Sequence, residues 1–100
     1  MDLMMSTQVG ARAAVRVPYT LPRRVQVRVF ATGMVDVYLV DSEQLATWRE
    51  RGGDVRSWAA SKDRREHVVN AVLPRRPQWH LLIVNRAAQQ VSADYDVVIL

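Results

Sequence analysis

From Val9 onward, apolar residues occupy every second position. Val9, Ala11, Ala13, Val15 and Val17 fall in one register, and Arg12 and Arg16 fall in the other. Successive side chains of a strand point to opposite faces, so this alternation predicts a strand with one apolar face. Pro18 and Pro22 bracket a short connector, because proline cannot donate to a sheet ladder. A second strand follows, with Val25, Val27, Val29 and Ala31 facing one way and Arg24, Gln26, Arg28 and Phe30 the other. Thr32-Gly33 reads as a turn. The third strand, Met34 to Val40, carries Val35, Val37 and Leu39 on one face. Asp36 interrupts its second face, but Tyr38 and Val40 make that face partly apolar.

The period then changes. Asp41 followed three residues later by Gln44 fits a capping box. A short helix is expected over residues 42–51, with Leu45 and Trp48 on one face and Gly52-Gly53 as its stop. Its expected role is a lid, Trp48 plugging an open end of the β core. Beyond it, Val55 to Ala60 reads as a weak fourth strand around Trp58, and residues 61–64 as a polar turn. Glu66 to Leu73 is a fifth strand. Pro74-Arg75-Arg76-Pro77 closes a hairpin onto Gln78 to Val84, a sixth strand apolar on both faces. After a turn at residues 85–90, Val91, Ala93, Tyr95, Val97 and Ile99 mark the last strand. About seven short strands with regular turns predict an all-β, jelly-roll-like antiparallel β-sandwich with one short helix. The expected organisation is a flexible arm over residues 1–7 and one domain over residues 8–100.

Composition narrows the classes. One hundred residues, 49% of them hydrophobic and 24% charged, fit a single globular domain and exclude wholesale disorder. There is no cysteine for a disulfide framework. The longest apolar run, Leu81 to Val84, falls far short of the roughly 20 residues a membrane helix needs. Asp2 stands where a signal peptide would be basic, so a cytoplasmic protein without membrane contact is expected. The net charge is +4, and Lys62 is the one lysine among 14 basic residues. Arginine forks suit phosphate and carboxylate.

Catalytic chemistry finds little purchase. A hairpin centred on Arg75-Arg76 would set His67 opposite about Val84 and His80 opposite about Ala71, too far apart to share a metal ion. Glu66 and Asp63 do not complete a ligand set. Ser42, Ser57, Ser61 and Ser92 lack a nucleophile-elbow setting. Gly52-Gly53 is no phosphate loop, and Asp94 and Asp96 share a solvated strand face. No enzyme activity, cofactor or metal is expected. Two binding surfaces remain. Phe30, Tyr38, Val40, Leu82, Val84 and Val98 make the outer faces unusually apolar and suggest a protein partner or a second copy. Arg23, Arg24, Arg64, Arg65, Arg75 and Arg76 would form a positive rim if their loops converge, giving salt-sensitive binding of anions or nucleic acid. Trp48, Trp58 and Trp79 are the few candidate stacking platforms.

The run Val35-Asp36-Val37-Tyr38-Leu39-Val40-Asp41 leads into a short helix with an aromatic and Gly52-Gly53. A strand ending at Pro74 and then Trp79-His80-Leu81-Leu82-Ile83-Val84-Asn85 follow. This order resembles the GOLD-like β-sandwiches and related small bacterial sandwich domains, across residues 9–100. The resemblance implies a non-enzymatic interaction module, in the manner of a stand-alone adaptor or accessory domain.

Overall fold

A computed structural model describes residues 4–20 and 23–100. Its elements are β1 (Met5–Val9), β2 (Ala14–Tyr19), β3 (Arg24–Asp41), α1 (Ser42–Arg51), β4 (Ala59–Val72), β5 (Trp79–Val84) and β6 (Val91–Ile99). All strand pairs are antiparallel. They form one curled six-stranded sheet in the order β1-β6-β3-β5-β2, with β4 also paired to β3.

β3 is the spine of the sheet. Residues 25–31 pair with β6 along one edge, and residues 36–41 pair with β5 along the same edge. β4 follows the other edge of β3 almost end to end, from Arg24↔Val72 to Leu39↔Ala59. The β3–β4 ribbon bends midway, where its register shifts between Phe30 and Val35 and again between Val35 and Val37. The bend folds the β5–β2 half over the β6–β1 half. Val25, Val27 and Val29 thereby share one core with Leu39, Leu81 and Ile83. Tyr19 on β2 lies close enough to Tyr95 and Asp96 on β6 that burial, helped by those neighbours, pushes its phenol up to about 12.

Several expectations are corrected. The seven strands are six, because two expected turns are bends within continuous strands. Thr32-Gly33 lies inside β3, and residues 61–64 lie inside β4. Conversely, the first expected strand is two, since Gly10 to Ala13 turns between β1 and β2. Arg12, at φ 52°, supplies the left-handed residue there. The hairpin through Pro74 to Pro77 does not form, because β3 lies between β4 and β5. His67 therefore faces Val29, and His80 faces Val40 and Pro18. The arm shortens as well: Met5, Ser6 and Thr7 pair with Tyr95, Asp94 and Ala93. Residues 1–3 and Pro22 lie outside the described residues.

Close approach explains the bend at Gly33. The Ser92 N–H donates to Thr32 Oγ1 at 3.0 Å, drawing β6 against this segment. A Cβ on Gly33 would sit 2.7 Å from Val91 Cγ1, well inside contact distance. Gly33→Ala should therefore destabilise the fold by about 1–3 kcal/mol through overpacking. Thermal unfolding of Gly33→Ala, Val91→Ala and the double variant provides the check. The double variant should be less destabilised than the sum of the singles; simple additivity would refute the clash.

On β4 the irregularity is Asp63, at φ 55°, which inserts one extra residue as a bulge does. Its N–H donates to Asp36 Oδ1 at 2.8 Å, and Arg86 Nε donates to Asp36 Oδ2 at 2.6 Å. His67 braces the same bulge. Its Nε2 meets the Arg64 carbonyl at 2.8 Å, and its Nδ1 meets Ser61 Oγ at 2.7 Å. A carbonyl only accepts, so Nε2 carries the proton and Nδ1 accepts from the serine.

The helix forms as expected. Gln44 N–H donates to Asp41 Oδ1, and Gln44 Oε1 accepts from Asp41 N–H, closing the capping box. Gly52, at φ 67°, ends the helix with its N–H on the Trp48 carbonyl. The lid expectation needs correcting: α1 lies on the outer face of the β3–β5 half. Leu45 is buried there among Tyr38, Val40, Leu82, Val84 and Val55, and Trp48 packs at the margin. Trp79 is fully buried in the main core and meets Trp58 edge-on at 6.3 Å.

Candidate functional site

The two outer faces differ in kind. On the β3–β5 half, Tyr38, Val40, Leu82 and Val84 are each 8% exposed or less beneath α1. Four of the six residues expected to meet a partner thus already have one, a helix of their own chain. The alternation identified an apolar outer face, and the Leu45–Trp48 stripe of α1 covers it. Phe30 and Val98 remain on the outer face of the β6–β3–β4 half. That face is otherwise crossed by polar pairs. Gln26 Nε2 donates to Asn70 Oδ1 at 3.0 Å, Ser6 Oγ to Asp94 Oδ1 at 2.6 Å, and the Arg28 guanidinium grips Asp96 through two nitrogens.

Beside these polar pairs lies an unpaired strand edge. β4 pairs only with β3 among the described strands. Its second half, residues 67–72, reads His-Val-Val-Asn-Ala-Val, with no acidic, lysine or arginine side chain and no proline. Val68 is 58% and Val72 63% exposed. Edge strands offer a row of free N–H and C=O groups and are usually blunted by charge, proline, bulges or shortness. The other edges follow that rule. β2 carries Arg16 and Pro18, β1 has only five residues, and the first half of β4 carries Lys62, Asp63, Arg64 and Arg65 around its bulge. Residues 67–72 do not. The sequence signal was present as an uncharged alternating run, but the expected hairpin had assigned that edge to β5.

The six arginines expected to form a positive rim do not converge. Arg24 pairs with Val72, and the Leu73 N–H donates to the Arg23 carbonyl, so these two share one end of the ribbon. Arg64 stands opposite Val35, at the bend, with Arg65 beside it. Arg76 is also engaged: its guanidinium lies 5.5 Å over the Trp58 ring and 3.4 Å from Asp41. Burial opposes ionisation of Asp41. The Gln44 N–H, the Trp58 indole and Arg76 together outweigh burial and hold its carboxyl below the usual range. Asp36 is held low in the same way, with burial outweighed by Arg86, the Asp63 N–H and Tyr38.

The histidines sit apart. His67 lies at the bulge and His80 on β5 under α1. Burial depresses both pKa values. Among the described residues no cluster of three or more His, Asp or Glu side chains is arranged to hold a metal ion. No helix among them is long and apolar enough to cross a membrane. No protein-family model and no curated protein matches the chain.

Proposed function

We propose that this chain is a non-enzymatic interaction module of the cytoplasm that self-associates through the free edge of β4. The observation that carries the reading is the unblunted run 67–72, flanked by exposed Val68 and Val72. Its sequence is self-complementary. A two-fold antiparallel pairing centred on Asn70 sets Val68 opposite Val72 of the second copy, and the reverse, on the outer face. It also sets Val69 opposite Ala71 on the inner face. Cross-strand aliphatic pairs of this kind stabilise a sheet, and a two-fold contact closes without leaving a new edge to propagate. The resemblance of the run 35–41 and of residues 79–85 to GOLD-like domains belongs to the same reading.

Light scattering on the purified chain tests this. The expected result is a species of twice 11.4 kDa that survives high salt, because apolar edge pairing is not screened. Val68→Lys with Val72→Lys should give a folded monomer, since both side chains are exposed, with thermal stability lowered only by the lost association. A monomer at all concentrations would overturn self-association. A salt-labile peak carrying nucleic acid would favour the alternative, phosphate binding through the arginine loops.

A further inference from the structure

Between α1 and β2 runs a groove of about 530 Å3, whose polar lining is Arg16, Ser42, Arg49, Glu50, Gln78 and His80, with Leu45 and Ala46 along its floor. A volume of this size suits a small organic ligand. His80 contributes from β5 and is only 2% exposed. Its Nε2 lies 2.9 Å from Ser42 Oγ, while its buried Nδ1 has no hydrogen-bond partner.

The unpartnered nitrogen fixes the direction of the serine bond. A buried N–H without an acceptor is the rarer and costlier case, so Nδ1 carries the lone pair and Nε2 the proton. Nε2–H then donates to Ser42 Oγ, which leaves the serine hydroxyl proton free to donate elsewhere. Two further donors serve the same groove. Arg16 and Arg49 have no ion pair or hydrogen bond among the described residues. Both are near enough that their positive field, after burial, holds the His80 pKa below its usual value. One carboxylate, Glu50, stands on the wall against these two guanidiniums.

We propose that this groove binds a small phosphate monoester. Its phosphoryl group sits between Arg16 and Arg49 and accepts a hydrogen bond from Ser42, and its organic part lies along Leu45 and Ala46. The match is one of donors to acceptors. Two planar guanidiniums present only donors, the Ser42 hydroxyl adds the proton left free by its bond to His80, and a phosphoryl dianion presents three terminal oxygens that only accept. A monocarboxylate carries one negative charge against the two guanidiniums, where the phosphoryl dianion carries about two.

The test is a nuclear magnetic resonance titration of the full chain at constant ionic strength with phenyl phosphate, inorganic phosphate and acetate. Saturable shifts at Arg16, Ser42, Arg49 and His80 are expected with phenyl phosphate, weaker ones with inorganic phosphate, and the weakest with acetate. Arg16→Gln and Arg49→Gln are surface changes that leave the fold intact. Each should weaken phenyl phosphate binding by about tenfold or more, the size of a charge-assisted hydrogen bond. Ser42→Ala should weaken it less, and Glu50→Gln should tighten it. Three results would each overturn the assignment. One is no saturable shift below about 20 mM, an affinity too weak to signify a site. The second is unchanged affinity in both arginine variants. The third is acetate binding as tightly as phenyl phosphate.

Discussion

Asn85→Asp should strongly destabilise the protein at neutral pH and recover part of that loss in acid. Asn85 is fully buried at the end of β5. Its Nδ2 donates to the carbonyls of Val9, Gly10 and Gln89 at 3.2, 3.1 and 2.7 Å. Its Oδ1 accepts from the Ala87 N–H at 3.0 Å, and its own N–H donates to the Ala13 carbonyl at 2.8 Å. One side chain thus stitches the β1–β2 turn to the β5–β6 loop. Aspartate is nearly isosteric but replaces the donor with an acceptor facing three carbonyl oxygens. The repulsion, together with a buried unpaired charge, should cost about 3–5 kcal/mol, against a total of about 5–15 kcal/mol for a domain. Only the protonated acid can donate, so the folded pKa of the introduced carboxyl would be raised. The recovered stability is then present below the unfolded pKa and disappears as pH rises through the folded one. The native chain runs the other way. Its depressed His67, His80, Asp36 and Asp41 give stability that is lost as pH falls. Thermal unfolding at pH 4 and pH 7 distinguishes the two slopes; parallel slopes would refute the assigned donor role. Asn85→Ala removes the donors without adding charge, and its deficit should not be recovered in acid.

Trp79→Ala is the second large expected loss. Trp79 is fully buried in the main core and pairs with Asp41 and Tyr19 on its two neighbouring strands. Its deletion should cost about 3–5 kcal/mol, because the enclosing β3, β5 and β2 backbones cannot collapse into the space. The melting temperature should fall by more than about 12 °C. Trp79→Phe retains most of the volume and should cost less than half as much. Trp58, its edge-on neighbour, is 46% exposed, so Trp58→Phe provides the contrast: it loses the indole bond to Asp41 but opens no cavity. Equal losses from Trp79→Ala and Trp58→Phe would refute the cavity left at Trp79 as the source of the loss.

What the sequence disclosed and what it hid divide along physical lines. Strand faces were legible because period two is local. Val25, Val27 and Val29 point inward as the alternation requires, as do Val35, Val37 and Leu39. The helix was legible to the residue, because the Asp41–Gln44 box and Gly52 are local chemistry too. Strand continuity was not. A glycine or a polar run marks a turn and a bend equally well, and only the approach of Val91 to Gly33 decides between them. Pairing was hidden for the same reason. Nothing near Pro74 announces that β3 will separate β4 from β5. That separation leaves the edge at Val68 and Val72 free and sets the groove beside Arg16, and neither is visible while β4 and β5 are paired as a hairpin. Asn85 was visible as a residue, but three of its hydrogen bonds, to Val9, Gly10 and Ala13, reach a turn more than 70 positions away.

The spine position of β3 also sets an order of events during folding. β1, the first described strand, can pair only with β6, the last, and β2 only with β5. Neither has a partner until most of the chain is present, and closing such long loops precedes any reward from contact. The β3–β4 ribbon, joined through a helix that forms locally, is the natural nucleus. Substitutions at Val27 or Val69 should slow folding, whereas those in β1 should mainly hasten unfolding. A topology of this kind folds on the millisecond-to-second scale. Throughout that interval the run 67–72 is exposed, so the edge that a second copy would cover is also the segment most open to mispairing.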